Sequence, residues 1–478
     1  MTAILYENEE NFEYDIRGLL MAFYPGEPIT VGTEEGCDRS LRFLYEPDGI
    51  SVTLSAGGKE TAKRVRVDYA DRKAAKSALK RLLYAILAQD TGKELPWGTL
   101  TGIRPVKIPM AMLEDGKEEE EIRRFMQEEY YVSPEKTELS IRIAEREREI
   151  LRSIDYDRGY SLYVGIPFCP TTCLYCSFTS YPLEKWADQV DRYLDALFRE
   201  IEYTAETFRD RKLNAVYIGG GTPTTLTSKQ AERLLAKLKS SFSLEDLKEW
   251  TVEAGRPDSI TEEKLEVLRC FPVDRISINP QTMKQETLDL IGRRHTVEQT
   301  EEAFRLARRL GFDNINMDLI LGLPGELPAD VERTMQALLK LGPDNLTVHS
   351  LALKRASRLN QLWDQYAGMP MENTWEMMDL TARYASRMGM EPYYLYRQKN
   401  MAGNFENVGY AAEGKAGIYN ILIMEEKQTI VACGAGSVSK RVYADGRIER
   451  CDNVKDVALY IEKIDEMIER KRRLFTDF

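Results

Sequence analysis

The segment Ile166-Pro-Phe-Cys-Pro-Thr-Thr-Cys-Leu-Tyr-Cys176 follows the short apolar run Ser161–Ile166 and places three cysteines on one loop. Cys169, Cys173 and Cys176 have the spacing C-x₃-C-x₂-C, and no fourth cysteine or histidine follows nearby in sequence. Structural zinc prefers four protein ligands, and ferredoxin clusters use four cysteines. Three thiolates can hold three irons of a cubane and leave the fourth iron open. The loop therefore favours an iron–sulfur site, with zinc binding or chance clustering as the alternatives.

A repeating pattern of strand and helix surrounds this loop. Short apolar, β-branched runs, each followed by helical periodicity, predict strands at Ser161–Ile166, Asn214–Gly219, Trp250–Ala254, Asp274–Ile278, Asn314–Leu319 and Asn345–Leu351. Predicted intervening helices include Trp186–Phe208, Ser228–Ser241, Thr296–Leu310 and Ala329–Leu341. Alternating strands and helices build a parallel sheet, so the pattern predicts an α/β core that forms a partial (β/α)6 TIM-like barrel. An open, doubly wound sheet is the alternative.

Two less regular regions flank this core, which we expect to span residues 156–390. Residues 1–155 are predicted to form an N-terminal α+β module of unknown role. Its predicted elements are Ser40–Tyr45, Ile50–Leu54, Ala74–Leu87 and Glu135–Ile154. Residues 391–478 are predicted to form a C-terminal α+β extension that closes the barrel mouth. It contains the short apolar runs Tyr419–Met424 and Gln428–Ala432 and a last helix from about Val454.

Length and composition limit the class of protein. The chain has 478 residues, enough for two or three domains, and no run approaches the roughly 18 apolar residues that a membrane helix needs. No export signal is visible, and the only cluster among seven cysteines has metal spacing, which favours a reducing compartment. We therefore expect a cytoplasmic protein without a membrane partner. A net charge of −12 argues against a nucleic-acid partner.

Glycine and polar motifs fall where the predicted strands end. These are the turn Gly219-Gly-Gly-Thr-Pro223, Glu253, Gln281, Arg293 and Asp318. Glycines allow a backbone to approach a ligand closely and offer amide donors. Each motif alone also has an ordinary explanation, as a tight turn or a solvated side chain. Their common position at the carboxyl ends of strands is typical of a barrel active site.

Together these motifs resemble those of the radical S-adenosylmethionine (SAM) enzymes. Within them the chain is most similar to the oxygen-independent coproporphyrinogen III oxidase family and to its HemZ branch. The resemblance covers about residues 160–440. It rests on Tyr163 through Cys176, the Gly-Gly-Gly-Thr-Pro turn, Asp318-Leu-Ile-Leu-Gly-Leu-Pro324, Gly434-Ala-Gly436 and the N-terminal Trp97-Gly-Thr-Leu-Thr-Gly-Ile-Arg-Pro105.

The resemblance implies a [4Fe-4S] cluster on Cys169, Cys173 and Cys176 whose fourth iron chelates SAM. It implies contacts to SAM from Tyr163, Gly220, Gly221, Thr222, Glu253, Gln281, Arg293 and Asp318. The residue types suit these roles, since arginine binds carboxylates and acidic groups accept from hydroxyl or ammonium groups. The implied reaction converts coproporphyrinogen III to protoporphyrinogen IX in haem biosynthesis, with an unidentified electron donor. The remaining cysteines, which are Cys37, Cys270, Cys433 and Cys451, are expected to be ordinary core or surface residues.

Two positions depart from the pattern of the oxidases. Phe178 stands where they carry a further cysteine, and Gly165 stands where they carry histidine. A sister branch, the haem chaperones, also lacks the extra cysteine, but its histidine-asparagine motif appears here as Tyr419-Asn420. The only histidines are His295 and His349. Three functions therefore stay open: the oxidase reaction, a haem-binding chaperone, and a radical enzyme acting on another carboxylated tetrapyrrole.

An acidic chain needs a local positive region to bind a substrate with four carboxylates. Lys354 and Arg355 follow the sixth predicted strand, and Arg397 and Lys399 follow a tyrosine-rich segment. We predict that Lys354, Arg355 and Arg397 contact the substrate. A solvated helix start and an ordinary surface pair are the alternative for these two groups.

Overall fold

A computed structural model describes residues 1–102, 104–178, 180–354, 356–366, 368–398 and 401–476. The chain divides into two compact units. The first comprises residues 1–145 and 396–406, and the second comprises residues 146–395 and 407–478. These limits differ from the predicted boundaries after residues 155 and 390, because residues 146–155 cluster with the second unit and residues 396–406 with the first.

The first unit is an α+β arrangement. Its strands are β1 (Thr2–Tyr6), β2 (Ile29–Val31), β3 (Arg39–Glu46), β4 (Gly49–Ala56) and β5 (Lys59–Arg66). Its helices are α1 (Glu13–Phe23), α2 (Arg72–Thr91), α3 (Lys107–Glu114), α4 (Glu119–Tyr130) and α5 (Pro134–Ile150), within which the boundary falls. The sheet has the order β2-β1-β3-β4-β5, and its buried apolar face packs with α1 and α2 in one core.

The second unit contains the sheet that positions the candidate site. Its strands are β6 (Gly159–Ile166), β7 (Phe168–Cys169), β8 (Tyr181–Pro182), β9 (Lys212–Gly220), β10 (Glu249–Gly255), β11 (Arg275–Ile278), β12 (Ile315–Leu321), β13 (Asn345–Ser350), β14 (Glu391–Tyr396), β15 (Asn407–Ala411), β16 (Thr429–Cys433), β17 (Val438–Val442) and β18 (Ile448–Asp452). Its helices are α6 (Leu183–Trp186), α7 (Val190–Thr207), α8 (Ser228–Ser241), α9 (Glu262–Arg269), α10 (Gln285–Leu290), α11 (Val297–Arg309), α12 (Pro328–Leu341), α13 (Arg358–Gln361), α14 (Trp363–Tyr366), α15 (Trp375–Arg387), α16 (Ile418–Glu425), α17 (Val457–Glu462) and α18 (Ile464–Leu474).

The main sheet has the strand order β14-β15-β13-β12-β11-β10-β9-β6-β16-β17-β18. Strands β6, β9, β10, β11, β12 and β13 are parallel neighbours in this order, with helices between them along the chain. Strand β16 adds in parallel to β6, and β15 adds antiparallel to β13. The predicted alternation of six parallel strands with helices is therefore confirmed.

The sheet curls around an interior. A Cβ atom added at Gly417 would lie 3.4 Å from Cζ of Arg275 and 3.1 Å from the hydroxyl of Tyr393. Arg275 is on β11 and Tyr393 is on β14, and three strands separate them in the sheet. Side chains from such distant strands meet only if the sheet curves, so the architecture is a partial barrel rather than a flat doubly wound sheet.

Local sequence signals explain where the barrel helices begin. Thr227 accepts from the backbone N–H of Gln230, and the Gln230 side chain accepts from the backbone of Thr227 in return. Thr296 and Gln299 form the same reciprocal pair at the start of α11. These capping boxes satisfy backbone donors that the helix itself leaves open. The apolar run Tyr419–Met424 lies in helix α16. Its sequence did not decide between strand and helix, because periodicity alone does not distinguish a short buried strand from a short buried helix.

In the part of the chain that the structure describes, none of the helices has both the length and the apolar character that a bilayer crossing requires.

A buried ion pair connects α7 to the last helix. Glu200 on α7 pairs with Lys471 on α18, and both side chains are at most 1% exposed. Glu200 also accepts from the side chain of Asn453 (2.7 Å), from the hydroxyl of Tyr460 and from the backbone N–H of Gly434 (2.7 Å). The network therefore ties the C-terminal helix to the Gly434 turn beside β16.

We expect Lys471→Met to destabilise the apo-protein by about 3–5 kcal/mol, because the substitution leaves the Glu200 carboxylate buried without a counter-charge. Urea unfolding measures this change, and the double variant Glu200→Gln/Lys471→Met should lose less stability than Lys471→Met alone. Arg199 and Asp465 provide a matched control, because they pair between the same two helices at the exposed surface. Equal losses from Arg199→Met and Lys471→Met would contradict the prediction.

Candidate active site

One residue in each of several barrel strands faces a partly accessible hollow. Strand β6 is buried except at Tyr163, β10 except at Glu253, β12 except at Asp318 and β13 except at His349. Side chains alternate along a strand, so a single accessible position in the middle of a buried strand marks its inward face. The structure therefore places Tyr163, Glu253 and Asp318, all predicted cofactor contacts, on strands that face one interior.

Three tyrosine rings stack on one side of this hollow. The Tyr163 and Tyr217 ring centroids are 6.2 Å apart with planes 14° apart, and Tyr217 and Tyr419 are 4.5 Å apart. The hydroxyl of Tyr217 donates to Oε1 of Glu253. Tyr217 was not among the predicted site residues. The available signal was its position on the second predicted strand, two residues before the Gly219 turn.

Asp318 is held as a carboxylate. The side-chain amide of Asn316 donates to its Oδ1 (2.7 Å), and Nε2 of His349 lies 3.7 Å from its Oδ2. Burial alone would raise the pKa of Asp318, but the contact with His349 and the hydrogen bond from Asn316 outweigh burial and lower the pKa. An ionised carboxylate here can accept from a hydroxyl or ammonium group of a ligand. His349 was not among the predicted site residues, because its contact with Asp318 joins two different strands.

Gln281 adopts a backbone conformation that is unusual for a residue with a side chain. Its φ of 67° lies in the left-handed region, and its backbone bonds to β12 on both sides, from its N–H to Asp318 O (2.9 Å) and from Ile320 N–H to its own O (3.0 Å). The side chain is buried, and its Oε1 has no hydrogen-bond partner among the described residues. Strained backbone and an unused buried acceptor together mark a ligand-facing position.

Arg293 connects the cysteine loop to the end of β11. Its Nη1 donates to the hydroxyl of Tyr175 (3.2 Å), and its Nη2 donates to the carbonyl of Asn279 (2.6 Å). The guanidinium is buried, and within the described residues its Nε–H has no acceptor. The Nε–H of this buried arginine is therefore available to a ligand acceptor, as far as the described residues show.

The three cysteines follow β6 and lie against the glycine turn Gly219-Gly-Gly-Thr-Pro223. Cys173 is buried, whereas Cys169 and Cys176 are partly exposed. Thr222 Oγ1 donates to the sulfur of Cys169 (3.5 Å). Burial raises the pKa of the Cys169 thiol to about 11 and also raises the pKa of Cys176. Iron would have to displace these thiol protons on binding, as metal binding to cysteine does generally.

The glycine turn makes a close fit against the cysteine loop. The backbone N–H of Gly221 donates to Ile166 O (2.7 Å), and that of Thr222 donates to Phe168 O (2.7 Å). A Cβ atom at Gly221 would lie 2.5 Å from Phe168 O and 3.0 Å from the Cys169 sulfur. At Gly220 φ is 108°, a value that favours glycine. The turn therefore depends on both glycines.

The cysteine loop fits an iron–sulfur cluster better than a single metal ion. Among the described residues no group of His, Cys, Asp or Glu side chains converges on one ion-sized position. In a cubane each thiolate binds a different iron, so the three sulfurs do not need to converge. The donor set of three cysteines on one loop, with no fourth protein ligand in the sequence nearby, is the set that leaves one iron open.

The predicted substrate residues are distributed over both units. Lys354 lies after β13 in the second unit, and burial lowers its pKa. Arg355 and Lys399 lie outside the described residues. Arg397 belongs to the first unit and is buried there, with its guanidinium donating to Leu100 O and to the Asn404 side chain (2.6 Å). Both Nη atoms of Arg397 thus donate within the first unit, its Nε–H has no partner among the described residues, and its contact with a substrate stays a prediction.

The buried carboxyl group of Glu253 makes the stability of the folded protein depend on pH. Burial, the largest effect, raises the pKa of Glu253 to about 7 from an unfolded value of 4.5, although Tyr217 donates to the carboxyl group. The folded pKa is higher than the unfolded one. The stabilising effect of this proton is therefore complete below pH 4.5 and is lost as the pH rises to 7.

We expect Glu253→Gln to remove this loss. Urea unfolding of the apo-protein should show the variant gaining roughly 2–3 kcal/mol relative to the native chain between pH 4.5 and 7. Glu413→Gln, at an exposed position, controls for the change of charge. If the difference in the free energy of unfolding between Glu253→Gln and the native chain does not change with pH, the raised pKa of Glu253 is contradicted.

Comparison with known proteins gives this geometry a family context. Residues 163–338 match the radical SAM superfamily. The oxygen-independent coproporphyrinogen-III oxidase-like protein HemZ of Bacillus subtilis is 38% identical, over 97% of this chain and 95% of its own length. The heme chaperone HemW of the same organism is 31% identical over 64% of this chain and 76% of its own length.

A shorter similarity extends to the oxygen-independent coproporphyrinogen III oxidase of Salmonella typhimurium, which is 35% identical over 41% of this chain and 42% of its own length. Among solved structures, the coproporphyrinogen III oxidase HemN of Escherichia coli, a radical SAM enzyme, superposes with a TM-score of 0.54. The superposition covers 67% of this chain and 73% of HemN at 24% identity. It confirms the predicted TIM-like fold of the core.

Proposed function

Because the chain belongs to the family of the coproporphyrinogen-III oxidase-like protein HemZ, within the radical SAM superfamily, we propose that it decarboxylates coproporphyrinogen III oxidatively. Members of this superfamily use a [4Fe-4S] cluster and SAM. When bound, the reduced cluster supplies the electron that cleaves SAM to a 5′-deoxyadenosyl radical. Cys169, Cys173 and Cys176 are the residues that would hold this cluster.

The observation that carries the proposal is that two residues after β11 each keep a buried, unused polar atom. Oε1 of Gln281 is an acceptor, Nε–H of Arg293 is a donor, and neither has a partner among the described residues. A ligand with both an ammonium and a carboxylate group satisfies both atoms, and the amino-acid end of SAM has this chemistry. Glu253 and Asp318 would accept hydrogen bonds from the ribose hydroxyl groups of SAM.

Conversion of a propionate to a vinyl group requires acceptors for a hydrogen atom and for an electron. Each propionate that becomes a vinyl group loses carbon dioxide, one hydrogen atom and one electron. The hydrogen atom would be taken up by the bound cofactor, and the electron would go to an acceptor that is still to be identified. The seven cysteines are free thiols, in keeping with a reducing cytoplasm as the place of this reaction.

An anaerobic assay tests the proposal. Cluster-loaded protein is incubated with a chemical reductant, SAM and coproporphyrinogen III, and the products are separated by chromatography. We expect 5′-deoxyadenosine to form only with substrate, together with a tricarboxylic intermediate and protoporphyrinogen IX. Turnover of a different carboxylated porphyrinogen, with none of coproporphyrinogen III, would move the proposal to another tetrapyrrole substrate.

Haem binding is the second candidate, and two observations favour it. The chain resembles the heme chaperone HemW over 64% of its length. Phe178, which stands where the oxidases carry a further cysteine, is 76% exposed and offers an apolar ring beside the cysteine loop. However, His295 is fully buried and His349 pairs with Asp318, so neither is presented for axial ligation. Tight haem binding without porphyrinogen turnover would favour the chaperone.

We expect Lys354→Ala to raise the KM for coproporphyrinogen III several-fold, since a lysine beyond β13 can pair with a propionate, and to leave the affinity for SAM unchanged. Steady-state kinetics and SAM titration measure the two quantities. Lys340→Ala, on α12 of the same unit, is the control for removing one positive charge. An unchanged KM would show that Lys354 does not contact the substrate.

A further inference from the structure

Arg256 is directed at the cysteine loop by a tight turn at the end of β10. Gly255 has φ of 61°, and the backbone N–H of Arg256 donates to Ala254 O at 2.7 Å, which closes a three-residue turn. The carbonyl of Gly255 accepts from the N–H of Asn279 (2.8 Å). Because the left-handed region favours glycine, the turn that aims Arg256 depends on Gly255.

The guanidinium of Arg256 divides its donors between a counter-ion and the cysteine loop. Its Nε and Nη2 donate to the two carboxylate oxygens of Asp258, at 3.0 and 2.5 Å. Its Nη1 donates to the hydroxyl of Thr171 (2.6 Å) and to the carbonyl of Thr171 (3.2 Å) and lies 3.9 Å from the sulfur of Cys173. The Arg256 side chain is only 4% exposed, so its charge is little screened by water.

This arrangement differs from the environment of Cys169. Cys169 receives a neutral hydroxyl donor from Thr222, whereas Cys173 faces a charged N–H of Arg256. Charge-assisted hydrogen bonds are stronger than neutral ones, and hydrogen bonds to ligand sulfurs shift the reduction potential of an iron–sulfur cluster. Asp258 partly compensates the positive charge, because it pairs with the opposite side of the same guanidinium.

We propose that Arg256 is a positioning residue that orients the Thr171–Cys173 segment and raises the reduction potential of the cluster through Cys173. A positive charge beside a ligand sulfur stabilises the reduced cluster, which carries one more negative charge than the oxidised cluster. Arg256 thus makes it easier for an electron donor to reduce the cluster before SAM is cleaved. The inference concerns the cluster alone and does not depend on the identity of the substrate.

The test is an EPR-monitored redox titration of the anaerobically reconstituted full-length protein without substrate. Arg256→Gln removes the charge, and we expect the ratio of reduced to oxidised cluster at a fixed potential to fall about tenfold, which is 59 mV for one electron. Arg256→Lys keeps the charge without the fork and should shift the potential in the same direction by less. If Arg256→Gln fails to take up iron, the direction of the shift in Asp258→Asn decides the matter.

Asp258→Asn distinguishes tuning from a merely structural role. This variant keeps the Arg256 charge and removes its counter-ion, so the potential should shift upward, opposite to Arg256→Gln. Arg308→Lys is the control for Arg256→Lys, because Arg308 on α11 pairs with Asp344 (2.7 Å) and does not contact the cysteine loop. Equal potentials for the native protein and Arg256→Gln, or a downward shift for Asp258→Asn, would overturn the proposal.

Discussion

Replacement of Cys169, Cys173 or Cys176 by alanine is expected to abolish the cluster. The native protein, reconstituted without oxygen, should bind about four irons per chain and give an EPR signal on reduction. SAM should change this signal, because three thiolates leave one iron open to the cofactor. Each alanine variant removes one of the three protein ligands and should bring iron content and EPR signal close to zero.

The remaining cysteines provide the controls for this result. Cys270 is exposed and Cys37 is partly exposed, and neither belongs to the cysteine loop. Cys270→Ala and Cys37→Ala should therefore retain the iron content and the SAM-dependent change of the EPR signal. Native protein that contains stoichiometric zinc and no iron would contradict the assignment of the site.

The second large effect is expected from Gly221→Ala. The new Cβ atom would lie 2.5 Å from Phe168 O and 3.0 Å from Ile166 O, and both are backbone atoms that cannot move aside without moving the cysteine loop. The same methyl group would lie 3.0 Å from the Cys169 sulfur. Overpacking of this kind costs about 1–3 kcal/mol. Where this cost falls on the SAM-bound state, it weakens SAM binding by about 5- to 150-fold.

Equilibrium binding of SAM to the cluster-loaded protein measures this effect, and iron analysis shows whether the cluster is also lost. Gly368→Ala is the matched control, because a Cβ atom at Gly368 would meet no atom within 4 Å and its backbone does not need a positive φ. Unchanged SAM affinity and iron content in Gly221→Ala would show that the turn does not hold the cofactor site in the way proposed here.

The sequence alone determined the parts of this protein that depend on local pattern. Six apolar runs separated by helical segments predicted the parallel strands of the core, and the spacing of the three cysteines predicted a loop with one open iron. Both signals are local, since burial of alternate residues and ligand spacing act over a few residues. Local pattern was insufficient for Tyr419–Met424, where a short, mostly apolar run forms a largely buried helix.

Only the tertiary structure decided which side chains meet in the site. Arg256 is 83 residues from Cys173, and His349 is 31 residues from Asp318, and no local spacing connects either pair. They are brought together because parallel strands place their carboxyl ends at one edge and the sheet then curls. Arg397 is the opposite case. Its sequence position suggested a side chain available to a substrate, whereas in the structure it is buried and donates hydrogen bonds to Leu100 and Asn404. Burial and hydrogen-bond partners depend on contacts distant in sequence, and only folding determines those contacts.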